Sequence, residues 1–85
     1  MGGNDQSHHL NTALSCNDDF AARGFVADCG PTGGVAISRG GHARGVWHYT
    51  NGSFYWTPAG NSAPVARVRS VRETVEHTMN YIATA

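Results

Sequence analysis

The stretch Gly45-Val-Trp-His-Tyr-Thr-Asn-Gly-Ser-Phe-Tyr-Trp-Thr57 predicts a β-hairpin. Two runs rich in aromatic and β-branched residues flank Asn51-Gly52, the dipeptide that most readily accepts the positive φ angles of a two-residue type I′ turn. With that turn, His48 pairs with Tyr55, and opposed residues share one face of the sheet. An aromatic face then carries Trp47, Tyr49, Phe54 and Trp56, and the second face carries Val46, His48, Thr50, Ser53, Tyr55 and Thr57.

The end of the chain predicts a helix that covers the aromatic face. Ser70 is a favourable N-cap, and Glu73 three residues later completes a capping box. The apolar residues that follow are spaced by three or four positions, which places them on one stripe of a helix. They are Val71, Val75, Thr78 or Met79, and Ile82. We therefore expect this helix to lie across the aromatic face.

Two further segments predict strands beside the hairpin. Residues 34–38 form a short apolar run bounded by glycines, and residues 65–69 alternate in character. In the second segment the alternation directs Arg67 and Arg69 to the side opposite Val68. The second face of the sheet should therefore carry two arginines.

The length of 85 residues allows one domain with a small core. Residues 1–12 are polar and predict a flexible tail, so residues 13–85 form the domain. Near the start of this domain, Asn17 or Asp18 can cap a short N-terminal helix, and residues 24–27 fit a strand as an alternative. We predict an α+β fold, in which a small antiparallel sheet of three to four strands packs on a C-terminal helix.

Charge is unevenly distributed along the chain. The formal net charge is zero, yet residues 29–72 contain five arginines and no acidic residue. There is no lysine, and arginine is the better partner for planar recognition of phosphate, carboxylate or guanine edges. A genomic composition bias that favours arginine codons explains the same pattern.

The cysteines and the N-terminus give little indication of secretion. Cys16 and Cys29 are the only thiols, and no basic start or apolar segment long enough to cross a bilayer is present. We expect a cytoplasmic protein with reduced thiols and no membrane association. A zinc-stabilised domain is a further alternative, with Cys16, Cys29, His42 and His48 as ligands, although the usual tight pair of cysteines is missing.

The sequence contains no catalytic signature. The glycine-rich residues 29–34 lack the Lys-Ser/Thr ending of a phosphate-binding loop and precede a strand. No Gly-x-Ser-x-Gly motif is present. We therefore expect no enzymatic activity, no catalytic residue, no cofactor and no bound metal.

The second face has the composition of a nucleic-acid contact surface. A two- or three-stranded ribbon fits the DNA major groove, arginine reads guanine, and tyrosine positions phosphates. We expect the protein to be a small DNA-binding domain without catalytic activity. The predicted contact residues are Arg67, Arg69, Tyr55 and His48, helped by Arg39 and Arg44 from the glycine-rich loop before the hairpin.

Residues 45–82 resemble small DNA-binding domains made of a three-stranded sheet and a C-terminal helix. The resemblance to the arm-site-binding domain of phage tyrosine recombinases rests on Asn51-Gly52, Phe54-Tyr55-Trp56, Pro58 and Gly60. The resemblance to the methyl-CpG-binding domain rests on Tyr55, Pro58-x-Gly60, Arg69-Ser70-x-x-Glu73 and Tyr81-Ile82. The loop between residues 60 and 65 is longer than in that family, and its lysine-rich flanks are missing. The resemblance implies a DNA-binding sheet face.

A protein partner is the alternative. Non-specific DNA affinity comes largely from phosphate neutralisation, and a net charge of zero limits it. Exposed tyrosine, tryptophan and arginine are also favoured anchors of protein interfaces. The chain then fits an interaction module of a phage or mobile element, such as an inhibitor or adaptor that docks on a host protein.

Overall fold

The computed structural model describes residues 2–30 and 33–83. This part of the chain contains three α-helices, five strands and one π-helical segment. Their bounds are α1 (Gly2–Ser15), α2 (Asp18–Ala22), β1 (Phe25–Cys29), β2 (Val35–Arg39), β3 (His42–Thr50), β4 (Ser53–Pro58), β5 (Ala66–Val68), α3 (Val71–His77) and the π-helical segment (Thr78–Ile82). The strands form one antiparallel sheet in the order β1-β2-β3-β4-β5. The α+β class is therefore confirmed.

The sheet has five strands where three to four were predicted. The sequence allows a short helix from Asn17 or a strand over residues 24–27, and the structure contains both, because a turn at Gly24 (φ +86°) separates α2 from β1. Asn17 caps α2 as expected, since its Oδ1 accepts a hydrogen bond of 3.0 Å from the Phe20 backbone N–H. β1 then adds the fifth strand beside β2.

The β3–β4 hairpin has the predicted turn and register. Asn51 (φ 51°) and Gly52 (φ +80°) both adopt the positive φ angles of a type I′ turn. His48 pairs with Tyr55, and Trp47 pairs with Trp56. Trp47 and Phe54 are fully buried on the aromatic face.

Residues 2–12 belong to α1, so the predicted flexible tail is wrong for the described residues; Met1 lies outside them. Ser7, Leu10 and Leu14 lie on one side of this helix and are all buried, the two leucines completely. Spacings of three and four residues place them on one helical face. These few contacts anchor the segment to the sheet and stabilise it as a helix. The polar composition of the segment does not indicate such contacts.

The buried side of the sheet is covered by α1 together with the C-terminal helix, whose Val71, Val75, Met79 and Ile82 pack against the core as expected. α1 packs across β1, β2 and β3, and α3 lies alongside α1. Ser70 caps α3 as predicted, since its Oγ accepts a hydrogen bond of 3.1 Å from the Glu73 backbone N–H. The C-terminal region contacts the sheet through Trp47, whose Nε1 donates to Thr78 Oγ1 at 3.1 Å. Phe20 of α2 completes the core beside β1.

None of the helices in residues 2–30 and 33–83 has the length and apolar character needed to cross a bilayer. Two residues of the glycine-rich turn before β2, Pro31 and Thr32, and the last two of the predicted domain, residues 84 and 85, lie outside the described residues.

Candidate binding site on the open sheet face

The second face of the sheet is open. Along β1 to β4, most side chains that face the helices are buried, and most of those between them are exposed or half-buried; Ser53, on the second face beside the hairpin turn, is buried. Val26 of β1, for example, lies between buried Phe25 and Ala27 and is 50 % exposed. No described segment covers this face, which we call the open face.

A row of three functional side chains crosses the open face. His48 on β3 pairs with Tyr55 on β4, and Tyr55 pairs with Arg67 on β5. Directly opposed side chains have Cβ atoms about 5 Å apart, so the imidazole, phenol and guanidinium are neighbours. His48 and Arg67 are exposed, and Tyr55 is half-buried. This row, His48–Tyr55–Arg67, contains three of the six predicted contact residues.

The position of His48 depends on Gly34, just before β2. A Cβ placed on Gly34 would lie 3.1 Å from Nε2 and Cδ2 of His48 and 2.9 Å from Cγ1 of Val46. The imidazole therefore packs directly over the Gly34 backbone. A glycine at this position lets the ring lie close to the sheet, and no motif in the sequence indicates this role.

Two shallow grooves flank the row. The first has a volume of about 250 Å³ and lies next to His48. Its lining combines strand residues with the loop of residues 58–61: Ala36, Ala43, Gly45, Val46, His48, Thr57, Pro58, Ala59, Gly60 and Asn61. The second has a volume of about 260 Å³ and is lined by Tyr55, Pro64, Val65, Ala66 and Arg67. Each groove shares a side chain of the row, so a ligand on the row has apolar surface on both sides.

Arg69 follows β5 and is exposed. It is two residues beyond Arg67, which pairs with Tyr55, while Val68 between them pairs with Phe54 of the aromatic face. Arg69 therefore extends the positive charge of the row at the end of β5. Four of the six predicted contact residues, His48, Tyr55, Arg67 and Arg69, belong to this part of the molecule.

The other two predicted residues, Arg39 and Arg44, do not lie with them. Their guanidinium carbons are 5.5 and 5.9 Å from the ring centroid of Phe25, whose side chain belongs to the core. Arg39 pairs with Phe25 across β1 and β2 and so shares its face. Arg39 and Arg44, expected to help from the glycine-rich loop at the margin of the open face, therefore lie beside Phe25 and apart from Arg67 and Arg69.

A β-bulge accounts for the position of Arg44. Ile37 pairs with Gly45, but Ser38 pairs with Ala43, so Arg44 is an extra residue on β3. A bulge breaks the alternation of side chains along a strand and redirects one of them. Simple alternation from Val46 would have placed Arg44 on the open face.

The remaining arginines have partners within the protein. Arg23 donates to the backbone carbonyls of Met79 and Ala83, near the end of the π-helical segment. Arg72 lies 3.7 Å from the carboxylate of Glu76 on the exposed side of α3. Among the side chains of residues 6–30 and 33–83, no carboxylate lies within 4 Å of Arg39, Arg44, Arg67 or Arg69. These four arginines are the cations available to an external anion.

The four candidate zinc ligands do not form a metal-binding cluster in the described part of the chain. Cys16 and Cys29 are exposed free thiols, His42 lies at the β2–β3 turn, and His48 lies on the open face. Within the described residues, no three His, Cys, Asp or Glu side chains form a group that could hold a metal ion. The zinc alternative gains no support from the geometry.

No family model, no curated protein and no solved structure matches the chain. The resemblance of residues 45–82 to small DNA-binding domains stays a prediction.

Proposed function

We propose that the open face binds a single strand of nucleic acid and that the protein is not an enzyme. The row His48–Tyr55–Arg67 carries this proposal. Imidazole and phenol rings on a sheet surface offer faces on which bases stack, and neighbouring arginines contact phosphates. Arg67 and Arg69 lack a carboxylate partner among the described side chains, so their charges are free for phosphates.

The width of the sheet favours a single strand over a duplex. Five strands spaced by about 4.8 Å make a face about 19 Å across. The major groove of B-DNA is about 12 Å wide and admits a helix or a two-stranded ribbon. A single strand can instead lie across the face, because its bases are free to stack on side chains. The row spans two strand spacings, about 10 Å, which gives room for about two bases.

Substitution of Tyr55 tests the stacking role. We expect Tyr55→Ala to weaken binding about 5- to 150-fold, because stacking on an aromatic side chain contributes about 1–3 kcal/mol per base. Tyr55→Phe keeps the ring and should retain most of the affinity. Tyr81→Ala is the matched control, since Tyr81 is 73 % exposed but lies outside the sheet, in the π-helical segment. Fluorescence anisotropy with labelled single-stranded DNA and RNA of mixed sequence at low salt measures these affinities.

Substitution of the two arginines tests the phosphate contacts. The double variant Arg67→Gln, Arg69→Gln should reduce the slope of log affinity against log salt by about 1.4, because each single-strand phosphate contact contributes about 0.7. Arg72→Gln is the control, since Arg72 lies on α3 and pairs with Glu76. The proposal fails if the unmodified protein binds no single strand, binds duplex more tightly, or responds equally to the Tyr55 and Tyr81 substitutions.

A protein partner is the second candidate, and three apolar side chains on the open face favour it. Val26 is 50 % exposed and pairs with Ser38, and half-buried Ala36 and Val46 pair with each other, next to exposed Asp28 of β1. An adaptor or inhibitor that docks on another protein would use such a surface. In that case Val26→Asp should abolish the formation of a stoichiometric, nuclease-resistant complex, while Tyr81→Ala should leave the complex intact.

A further inference from the structure

Arg39 and Arg44 form a cluster with Phe25 at the tip of the β2–β3 hairpin. The guanidinium carbons lie 5.5 and 5.9 Å from the centroid of the same ring. Phe25 itself is only 5 % exposed and packs on Phe20 at a centroid distance of 5.6 Å. The ring is therefore a fixed platform that both guanidinium groups contact.

The cluster leaves hydrogen-bond donors free. A guanidinium over an aromatic ring keeps its N–H groups in its own plane, where they can bind a phosphate with two parallel hydrogen bonds. Neither Arg39 nor Arg44 donates a side-chain hydrogen bond to the described part of the protein, in contrast to Arg23. Arg39 also lies along Gly24, where a Cβ would be 3.8 Å from its Cγ and Nε. Its orientation is thus set by the fold.

Two like charges without a carboxylate partner repel each other, and an anion between them relieves that repulsion. The described side chains supply no such carboxylate within 4 Å. Arg23 donates to carbonyls of the C-terminal region, and Arg72 lies beside Glu76. Arg39 and Arg44 make no contact of either kind with the described side chains. Their guanidinium donors are therefore accessible to an external anion.

The cluster adjoins the open face. The groove beside His48 extends to Ala43, the residue before Arg44, and to Asn61 in the loop of residues 58–61. The Ala59 backbone N–H donates to the Arg44 carbonyl at 2.9 Å, which ties the loop of residues 58–61 to the hairpin tip. A Cβ on either Gly40 or Gly41 would have no neighbour within 4 Å, so the tip between groove and cluster is unobstructed.

We infer that Arg39 and Arg44 form a phosphate clamp that holds the backbone of the bound strand after it leaves the groove and passes around the β2–β3 tip. This inference rests on the proposed function. Guanidinium donors pair with the phosphate oxygens that every nucleotide carries, so the clamp does not require a particular base sequence. The binding path is then continuous from Arg67 across the open face to the opposite side of the sheet.

Oligonucleotide length separates the clamp from the row. A strand of about two nucleotides covers the row alone, whereas one of about 12 nucleotides also reaches the tip. The double variant Arg39→Gln, Arg44→Gln should leave the affinity for the short strand unchanged. For the long strand it should lower the salt slope by about 1.4, for two phosphate contacts. Arg72→Gln should change neither measurement.

Phosphate alone provides a test without nucleic acid. In NMR spectra of the unmodified protein, titration with inorganic tripolyphosphate should shift the Nε–Hε signals of Arg39 and Arg44 and leave that of Arg72 in place. If these signals shift but no oligonucleotide binds, the passage of a strand and the proposed function both fail, and an anion site remains. If oligonucleotides bind as proposed but the Arg39 and Arg44 substitutions alter neither the slope nor the length dependence, the clamp is refuted.

Discussion

Thr78→Val should destabilise the protein through a single hydrogen bond between the sheet and the C-terminal region. Trp47 Nε1 donates to Thr78 Oγ1 at 3.1 Å, and both residues are fully buried. Valine has nearly the same shape as threonine but offers no acceptor, so the indole N–H would be left without a partner. The carbonyl of Thr74 loses the Thr78 hydroxyl at 2.7 Å but keeps the Thr78 backbone N–H.

The expected loss in the free energy of unfolding is about 2 kcal/mol. A buried donor without an acceptor costs about 1–3 kcal/mol. For a domain of this size, each kcal/mol lowers Tm by about 4–8 °C, so the variant should melt about 8–16 °C lower. Thr78→Ser keeps the hydroxyl and loses one methyl group, so it should cost only about 1 kcal/mol.

Urea unfolding followed by tryptophan fluorescence measures these free energies, and a double-mutant cycle isolates the bond. Trp47→Phe removes the donor at its own cost in packing. In that background Thr78→Val should cost close to zero, because no indole N–H is left unpaired. Equal costs of Thr78→Val in both backgrounds, or a smaller cost than that of Thr78→Ser, would refute the reasoning.

Three further predictions concern the packing and the pH dependence of the fold. Gly45→Ala should lower the free energy of unfolding in urea by about 3 kcal/mol or more, because Gly45 has φ +154° and the new Cβ would lie 2.5 Å from a carbonyl oxygen of β4. Gly40→Ala is the control, since Gly40 has φ +57° but open space around it, and this substitution should cost about 1 kcal/mol. Leu14→Ala should lower the free energy of unfolding by about 2–5 kcal/mol, whereas Ser15→Ala on the exposed side of α1 should be nearly neutral. Equal effects of the two substitutions would show that α1 does not pack on the core. Burial lowers the pKa of His77 below 6.5 in the folded state, so the unfolded chain binds more protons below that pH. Stability should therefore fall as the pH drops below about 6.5, and His77→Gln should flatten this fall.

The hairpin could be predicted from the sequence because its determinants are local. Asn51-Gly52 defines the turn, the turn defines the register, and the register defines which aromatic side chains face the core. The start of α3 was predictable for the same reason, since Ser70 and Glu73 are three residues apart. In both cases the interacting residues are close in the chain.

The helix α1 could not be predicted because its stability comes from tertiary contacts. Only Leu10 and Leu14 among its described side chains are large and apolar, and their burial requires the finished sheet. An isolated helix of this length is marginal in water. Polar composition therefore indicated a tail, although the segment covers three strands of the sheet.

The division of the arginines follows from the same alternation rule that made the hairpin predictable. Alternation holds from Val46 to Thr57 and fails at the bulge, where Arg44 is the extra residue. The one local signal for the bulge is the glycine beside it, Gly45. Its backbone has a positive φ angle and lies against the Trp56 ring. Arg44, expected in the glycine-rich loop before the hairpin, is instead part of β3 and one residue out of its alternation.

That one residue changes the shape of the proposed binding surface. With Arg44 on the open face, the arginines would make a flat basic patch suited to a duplex. With Arg44 beside Phe25, the available cations follow a curved path from β5, across the His48–Tyr55–Arg67 row and around the glycine tip. A flexible single strand can follow such a path, and a stiff duplex cannot, because bending DNA over this distance costs several kcal/mol. The bulge at Gly45 therefore connects the fold to the type of ligand that we propose.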